Sequence, residues 1–507
     1  MKKRTTAFES NDKGRIGPSI KEFQQENCKS EQLSKTRVFF LNLSWFGMNV
    51  MYLILSVEVV PSQVHALVGS EMKGQMFGAM VASGAIVTFI ISPLIGIKSD
   101  RLQSPYGRRR PLMVAGTILL ILSLFGMAFS APESIRIKAN ETCNIDLELR
   151  RCASYYVNNL TALRTLDVNM TGINDPKMLI ALMTEPTIKN GSIGTYFCFY
   201  LCVMACYAMM AVPYNGLIAD QTPPAQRGFS SGVMGAMTLS GNIAGAIIGF
   251  FFPRMGVVLT YTIMSLMFFI CVMLTVLSCP EKATHHQPTN KALSYRDIFT
   301  SYWEPLKEHD FRWVFFTRFL MQQGVATVVG FLEYWLGDMV KLPGCWAPEK
   351  AVAIILLPLL LSAAVFSVVG GFLSDKMRRR KPLVVGSAIL MAVCSFILSG
   401  LQGTYAFYAV IPVSLTFGIG FGAYSAVDFA LVMDVLPDEK DKAKDLAVWH
   451  QALVLPQAIA TPIGGFVLDG FNRVNCRWGL GYIILFQITC AYFAISAYLV
   501  RFIRKAK

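Results

Sequence analysis

Charged and amide side chains are costly in hydrocarbon, so where they interrupt long apolar runs they mark a water-filled cavity or a buried partner. Asn42, Trp45 and Asn49 fall at i, i+3 and i+7 of one such run. On a helix they would share a face, where amides bond hydroxyls and an indole covers the apolar side of a sugar ring; helix packing through Asn is the equally weighted alternative. Asn242, Gln322, Tyr424, His450 and Gln451 interrupt other apolar runs, each open between solute contact and structural hydrogen bonding. Arg318 follows Phe311 by seven residues, about 10 Å into its run at the helical rise. It can bind a solute carboxylate, pair with an acidic residue of the tenth run, or snorkel to the interface. Asp428, one turn after Tyr424, and Glu58 are the acidic candidates. A carboxylate in a low-dielectric cavity can load and unload a proton as access to it alternates. Glu58, near the outer end of its run, is expected to be half solvated.

The elements that must hold these residues are membrane helices. With 54% hydrophobic and 15% charged residues, the chain has too many uninterrupted apolar runs for a soluble multidomain protein. Twelve spans are predicted, at about 37–58, 73–97, 111–130, 193–218, 229–252, 257–278, 311–335, 351–374, 382–401, 405–434, 446–468 and 478–501, each long enough to cross a bilayer. The fold class is therefore an all-α membrane protein. A polar tail over 1–36, expected to be disordered, precedes the spans; 37–278 and 311–501 form two six-helix bundles; 279–310 links them and 502–507 closes the chain. The net charge of +14 sits in short loops between apolar runs, which is the pattern of topology rather than of nucleic-acid binding. Segments 98–110, 375–381 and 440–444 are dense in Lys and Arg while 59–72 and 402–404 carry none, so both termini are expected on the cytoplasmic side.

One stretch occurs twice. Gly96, Asp100, Arg101, Gly107 and Arg108, in a basic hinge between two spans, are echoed by Gly371, Asp375 and Arg378 between two others. A second pair of echoes follows, Asp220 with Arg227 and, downstream, Asp434, each Asp ending an apolar run before a Pro-bearing loop. The interval from Asp100 to Asp220 exceeds that from Asp375 to Asp434 by the length of the polar segment 131–191, so the first half reads as the second plus one insertion. A Gly that lets helices approach, an Asp that accepts charge-assisted bonds and a cluster of Arg can latch one conformation and release another. A topogenic cluster with no moving part is the bland alternative.

These two repeats resemble the loop 2-3 and loop 8-9 signatures of the major facilitator superfamily. The run Ser99 to Pro111 has the residue types of its sucrose-transporter branch and of the wider glycoside-pentoside-hexuronide:cation symporters. The resemblance implies two pseudo-symmetric six-helix bundles and a secondary active transporter of a small polar solute, a sugar or glycoside. An organic anion with Arg318 as counter-charge, another nutrient, or a non-transporting receptor are the alternatives. Span two has no carboxylate between Gly78 and Ile97 where the sodium-coupled melibiose branch carries an Asp pair, so protons are the implied coupling ion. His65 stands where sucrose transporters use a loop histidine.

Segment 131–191, expected outside, carries sequons at Asn140, Asn159, Asn169 and Asn190, and Cys143 and Cys152 are close enough to bridge. Together these indicate a eukaryotic secretory-pathway glycoprotein, with the plasma membrane favoured over an endolysosomal one. Most other cysteines lie in apolar runs as small hydrophobes. No metal-ligand spacing, nucleophile elbow or phosphate loop is present, and Gly241 and Gly245 read as a helix-packing pattern. No enzyme activity, metal or cofactor is expected, and a single chain is expected to suffice for function.

Overall fold

In the computed structural model, residues 33–131, 147–148, 151–152, 191–223, 226–281, 304–377, 379–435 and 442–504 are described. Among the described residues, twelve helices are long and apolar enough to cross a membrane. They are α1 (Lys35–Val68), α2 (Lys73–Arg101), α3 (Arg110–Ser130), α4 (Ile193–Gln221), α5 (Arg227–Met255), α6 (Val257–Ser278), α7 (His309–Met339), α8 (Pro348–Met377), α9 (Lys381–Gly400), α10 (Ala406–Val435), α11 (Lys442–Val474) and α12 (Leu480–Leu499). In hydrocarbon the backbone must satisfy its own hydrogen bonds, which leaves helices as the only solution for runs of this composition.

The pairing of helices repeats. In the first half α1 packs on α5 and α6, α2 on α4, and α3 on α4 and α6; in the second α7 packs on α11 and α12, α8 on α10, and α9 on α10 and α12. Each partnership recurs six helices later. The halves meet along α2–α11 and α5–α8, two seams that the same repeat interchanges.

Several helices are longer than the sequence reading placed them. Spans one, seven, eight and eleven reach Val68, Met339, Pro348 and Val474, beyond the roughly 20 residues that a bilayer requires. Asp338, Glu349 and Asp469 lie in these extended ends, while Lys73 opens α2 and Glu333 lies near the end of the predicted seventh span. Glu58 is not half solvated but fully buried, at 0% exposure. The helix runs on past it to Val68, through a π turn at Ile54–Val59, and α5 packs over it at Gly249.

The ends of the molecule differ. At the end from which segment 131–191 leaves, called here the long-segment end, the backbones of Gly74 in α2 and Gly465 in α11 are so close that a Cβ on Gly465 would overlap the Gly74 carbonyl. Nearby, Gly78 faces Thr461 and Pro462 of α11. Toward the opposite, basic-loop end, a Cβ on Gly232, Gly235 or Gly371 would meet nothing within 4 Å, and Ile86, Ile90 and Leu94 of α2 are exposed. The halves are therefore closed together at the long-segment end.

The expected Cys143–Cys152 bridge is corrected: Cys152 is bonded to Cys476, in the turn between α11 and α12 of the other half. Short sequence spacing suggested the local pair, but Arg477 pairs with Glu148 at 2.7 Å and Arg151 donates to the Arg477 carbonyl, so this short stretch docks on the second half. Asn140, Asn159, Asn169, Asn190 and Cys143 lie outside the described residues. Non-reducing peptide mapping of the purified protein should recover a Cys152–Cys476 linked peptide that disappears in Cys476→Ser; recovery of a Cys143–Cys152 peptide instead would contradict this pairing.

Candidate functional site

The closed seam is built from ionisable groups. Lys73, at the first turn of α2, pairs with Asp338 of α7 at 2.6 Å and lies 5.0 Å over the Tyr334 ring. Asp338 also accepts from the Tyr482 hydroxyl of α12. Asp469 of α11 accepts from the Gln75 backbone N–H at 2.8 Å, and the Tyr334 hydroxyl donates to the Pro61 carbonyl at 3.0 Å. His65, in the last turn of α1 rather than in a loop, packs edge-on against Tyr334 with centroids 6.1 Å apart. Glu349 of α8 accepts from the Ser62 hydroxyl of α1. Every one of these contacts except those of Tyr482 crosses from one half to the other.

Deeper in the molecule the groups are mostly uncharged. Tyr52 of α1 is 39% exposed and its hydroxyl is in hydrogen-bond reach of Gln457 of α11, with Tyr200 and Tyr207 of α4 close by. Asn49 is half-buried and donates to the Trp45 carbonyl at 2.7 Å. Trp45 is half-buried too, tilted on Tyr214 with ring centroids 6.2 Å apart, and its indole N–H has no hydrogen-bond partner. Asn242, Gln322 and Gln451 are half-buried. Asn42 departs from the expected face: it is fully buried and donates to Ser230 of α5 at 3.1 Å and to the Val38 carbonyl at 2.9 Å. It serves helix packing, because α5 covers the side of α1 on which it lies.

Arg318 neither snorkels nor stands open to a solute anion. It forms a buried ion pair with Asp428 of α10 and stacks on Trp449 of α11, the guanidinium carbon 3.6 Å from the ring centroid. Tyr424, one turn before Asp428, is buried as well. A planar guanidinium suits both contacts at once, pairing in its plane and stacking on its face. The side chain of His450 lies outside the described residues.

The first basic hinge is braced within its own half. Asp220 accepts from Arg108 at 2.8 Å and from Arg109 at 3.2 Å, and Arg109 also donates to Ser99 at 3.1 Å. Glu281 accepts from the backbone N–H of Arg109 at 2.9 Å and of Arg110 at 3.3 Å, a carboxylate at a helix N-terminus where free donors and the dipole both favour it. Gly107 has φ +94°, and a Cβ there would strike Glu281, so this turn needs glycine on two counts. Gly96 and Gly371 lie near the basic ends of α2 and α8. The side chains of Asp100, Arg101, Arg227, Asp375 and Asp434, and the whole of Arg378, lie outside the described residues.

The sequence marks Glu58, Arg318 and Asp428 but not Lys73, Glu333, Asp338, Glu349 and Asp469: spans drawn at bilayer length leave Asp338, Glu349 and Asp469 in loops and put Lys73 and Glu333 at the ends of spans two and seven, where charge is unremarkable. It also chose Gln322 and passed over its neighbour Gln323. With its amide oriented to satisfy both ends, Gln323 donates to the Pro456 carbonyl at 3.2 Å and accepts from the Ala460 N–H at 3.1 Å, joining α7 to α11 where Pro456 interrupts the helix.

Two six-helix halves with matching helix partnerships form an internal repeat of the kind seen in transporter folds. The model of the Major Facilitator Superfamily matches residues 178–444, more than half of the chain. The chain belongs to the Major Facilitator Superfamily. A second model, MFS/sugar transport protein, matches residues 41–138. Among curated relatives, a sucrose transport protein of Oryza sativa subsp. indica, SUT4, is 40% identical over 48 residues, which are 10% of this chain and 8% of the relative. Sucrose transport protein SUC3 of Arabidopsis thaliana is 26% identical over 122 residues, 24% of this chain and 20% of the relative. The matches thus span a fifth or less of those relatives' own length. Among solved structures, a D-xylose-proton symporter aligns with TM-score 0.59 at 17% identity, covering 93% of this chain and 97% of that one. A point mutant of the nucleoside transporter NupG aligns with TM-score 0.61 at 12% identity, covering 92% and 99%. Likeness at these identities establishes the shared superfamily fold.

Removing one member of a buried ion pair leaves an uncompensated charge, at a cost of about 3–5 kcal/mol, whereas replacing both with apolar residues is often neutral. Asp428→Asn or Arg318→Met alone should therefore lower the thermal stability of the detergent-purified protein markedly, and Arg318→Met with Asp428→Leu should recover most of it. Single variants as stable as the wild type would show that the pair is not closed in this way.

Proposed function

We propose that this superfamily member is a secondary active transporter of a small, neutral, hydroxyl-rich solute of the sugar or glycoside class, driven by protons. The observation that carries the choice of solute is the Arg318–Asp428 pair. An organic-anion carrier needs an unspent cation at mid-depth, and Arg318 is already neutralised by a carboxylate and stacked on Trp449. The partly buried polar and aromatic residues of the spans, Tyr52, Asn49, Trp45, Asn242, Gln322, Gln457 and Gln451, are amides and rings that match hydroxyls and the apolar face of a pyranose. The partial likeness to sucrose transport proteins and the sugar-transport model point the same way.

Of the two acidic candidates for coupling, Glu58 fits better than Asp428. Asp428 has an ionic partner, while both Glu58 oxygens are buried without one, so Glu58 can change protonation without breaking a pair. The basic-loop end, rich in Lys and Arg, is assigned to the cytoplasm, with both termini there, so the structure is read as inward-open. The long-segment end then faces an oxidising compartment, which accords with the Cys152–Cys476 bond and makes the four sequons candidate glycan sites. The chain is proposed to act as a monomer, in the plasma membrane.

Purified protein in liposomes should accumulate members of a radiolabelled sugar and glycoside panel when an inward-directed pH gradient is imposed, and should ignore a carboxylate panel. Uptake of carboxylates alone would move the reading to an anion carrier. Losing one hydrogen bond is worth about 1 kcal/mol, so Asn49→Ala and Gln457→Ala should each raise the half-saturating solute concentration by roughly five- to tenfold. Glu58→Gln should abolish gradient-driven accumulation and leave solute exchange intact; unaltered accumulation in that variant would remove Glu58 from the coupling step.

A further inference from the structure

Three carboxyl groups from three helices and both halves converge in the closed seam. Glu58 comes from the π turn of α1, Glu333 from α7 and Glu349 from the first turn of α8. They are 0%, 5% and 3% exposed, and near enough to act on one another electrostatically. Four of their oxygens, both of Glu58 and Oε2 of Glu333 and of Glu349, are buried with no hydrogen-bond partner. The Glu58 carboxyl lies against the backbone of Gly249 in α5, where any side chain would displace it.

Among the described residues, the cations near them are engaged elsewhere. Lys73 of α2, which faces Glu333, is committed to Asp338 at 2.6 Å. Lys350 of α8 lies over the Trp346 and Phe250 rings at 4.0 and 5.1 Å. The other titratable groups around the cluster are Tyr334 and Asp338 of α7, Asp469 of α11, Tyr482 of α12, Tyr196 of α4 and His65 of α1, and Asp338 is held by Lys73 and Tyr482. Three ionised carboxylates with four bare oxygens cannot be held together in so dry a place. Among the described residues no group of His, Cys, Asp and Glu is arranged to hold a metal ion.

We infer that Glu58, Glu333 and Glu349 form a proton-binding gate, so that the long-segment end closes only when the cluster carries protons and opens when it gives them up to solvent on that side. Closing brings Glu58 of the first half up to Glu333 and Glu349 of the second, and protons remove the repulsion that would keep them apart. By linkage the state that binds more protons is favoured as pH falls, so acid closes the seam and alkali opens it, by up to tenfold in the open-to-closed ratio per pH unit for each proton exchanged. The inference rests on alternating access and goes beyond Glu58 alone. It does not require that protons drive the solute, because a carrier coupled to nothing would still be latched in this way.

The test reads conformation rather than transport. Spin labels placed through non-canonical amino acids at Met72 and Tyr405, both exposed and at the long-segment ends of opposite halves, leave every cysteine in place. In lipid nanodiscs the interlabel distance of the full-length protein should be short at about pH 5 and gain a longer population at about pH 8.5. With Glu58→Gln, Glu333→Gln and Glu349→Gln combined, it should stay short at both. Glu333→Gln alone, the milder change should the triple variant fold poorly, should flatten the pH response by about one proton. A wild-type distance indifferent to pH, a Glu333→Gln slope equal to wild type, or closure by sodium at fixed pH would each overturn the inference. A seam that answers to pH in a protein that shows no gradient-driven uptake would retire the symport reading and leave the gate standing.

Discussion

Exclusion of water from the seam between two bundles governs what the rest of the molecule can do. Where α2 and α11 approach until a Cβ on Gly465 would overlap the Gly74 backbone, little room is left for solvent to screen or solvate a charge. Each ionisable group there must be paired, hydrogen-bonded or neutral. Lys73 with Asp338, and Asp469 with the Gln75 amide, meet that demand by pairing and bonding. Glu58 does not, and its bare oxygens mark the place where protonation can decide whether the halves stay together.

The same demand divides the ionisable residues by depth and role. The Arg318–Asp428 pair lies wholly inside the second half, where α7, α10 and α11 meet. A neutralised pair of this kind braces helices without committing the central space to an anion. The hinge at Gly107, Arg108, Arg109 and Asp220 ties the basic ends of α2, α3 and α4 within the first half. Such bracing lets each half move as a body, which concentrates the change of shape in the two seams. The carboxyls that span the halves are then the ones placed to feel that motion.

The Cys152–Cys476 bond adds a covalent element to this arrangement. It fastens part of the segment between α3 and α4 to the turn between α11 and α12, and so joins the halves at the end where they are closed. Because it holds a connecting segment rather than a spanning helix, it bounds their separation without welding the seam.

The sequence by itself determined the class of the molecule. Apolar runs of spanning length, the duplicated hinge about Asp100 and Asp375, and the charge bias of the loops imply twelve helices in two related halves, since hydrocarbon permits no other backbone solution. It also marked Glu58, Arg318 and Asp428, because an ionisable group inside an apolar run stands out in one dimension. Tertiary structure alone decided their partners and fates: Arg318 against Asp428 over more than a hundred intervening residues, Asn42 turned toward α5, Cys152 bonded across the halves. It alone brought Glu333 and Glu349 to Glu58, for these lie near helix ends, where a charge reads as solvated. Their meeting depends on how far the helices run past the bilayer minimum and on which faces the halves press together, and neither is written in the local pattern.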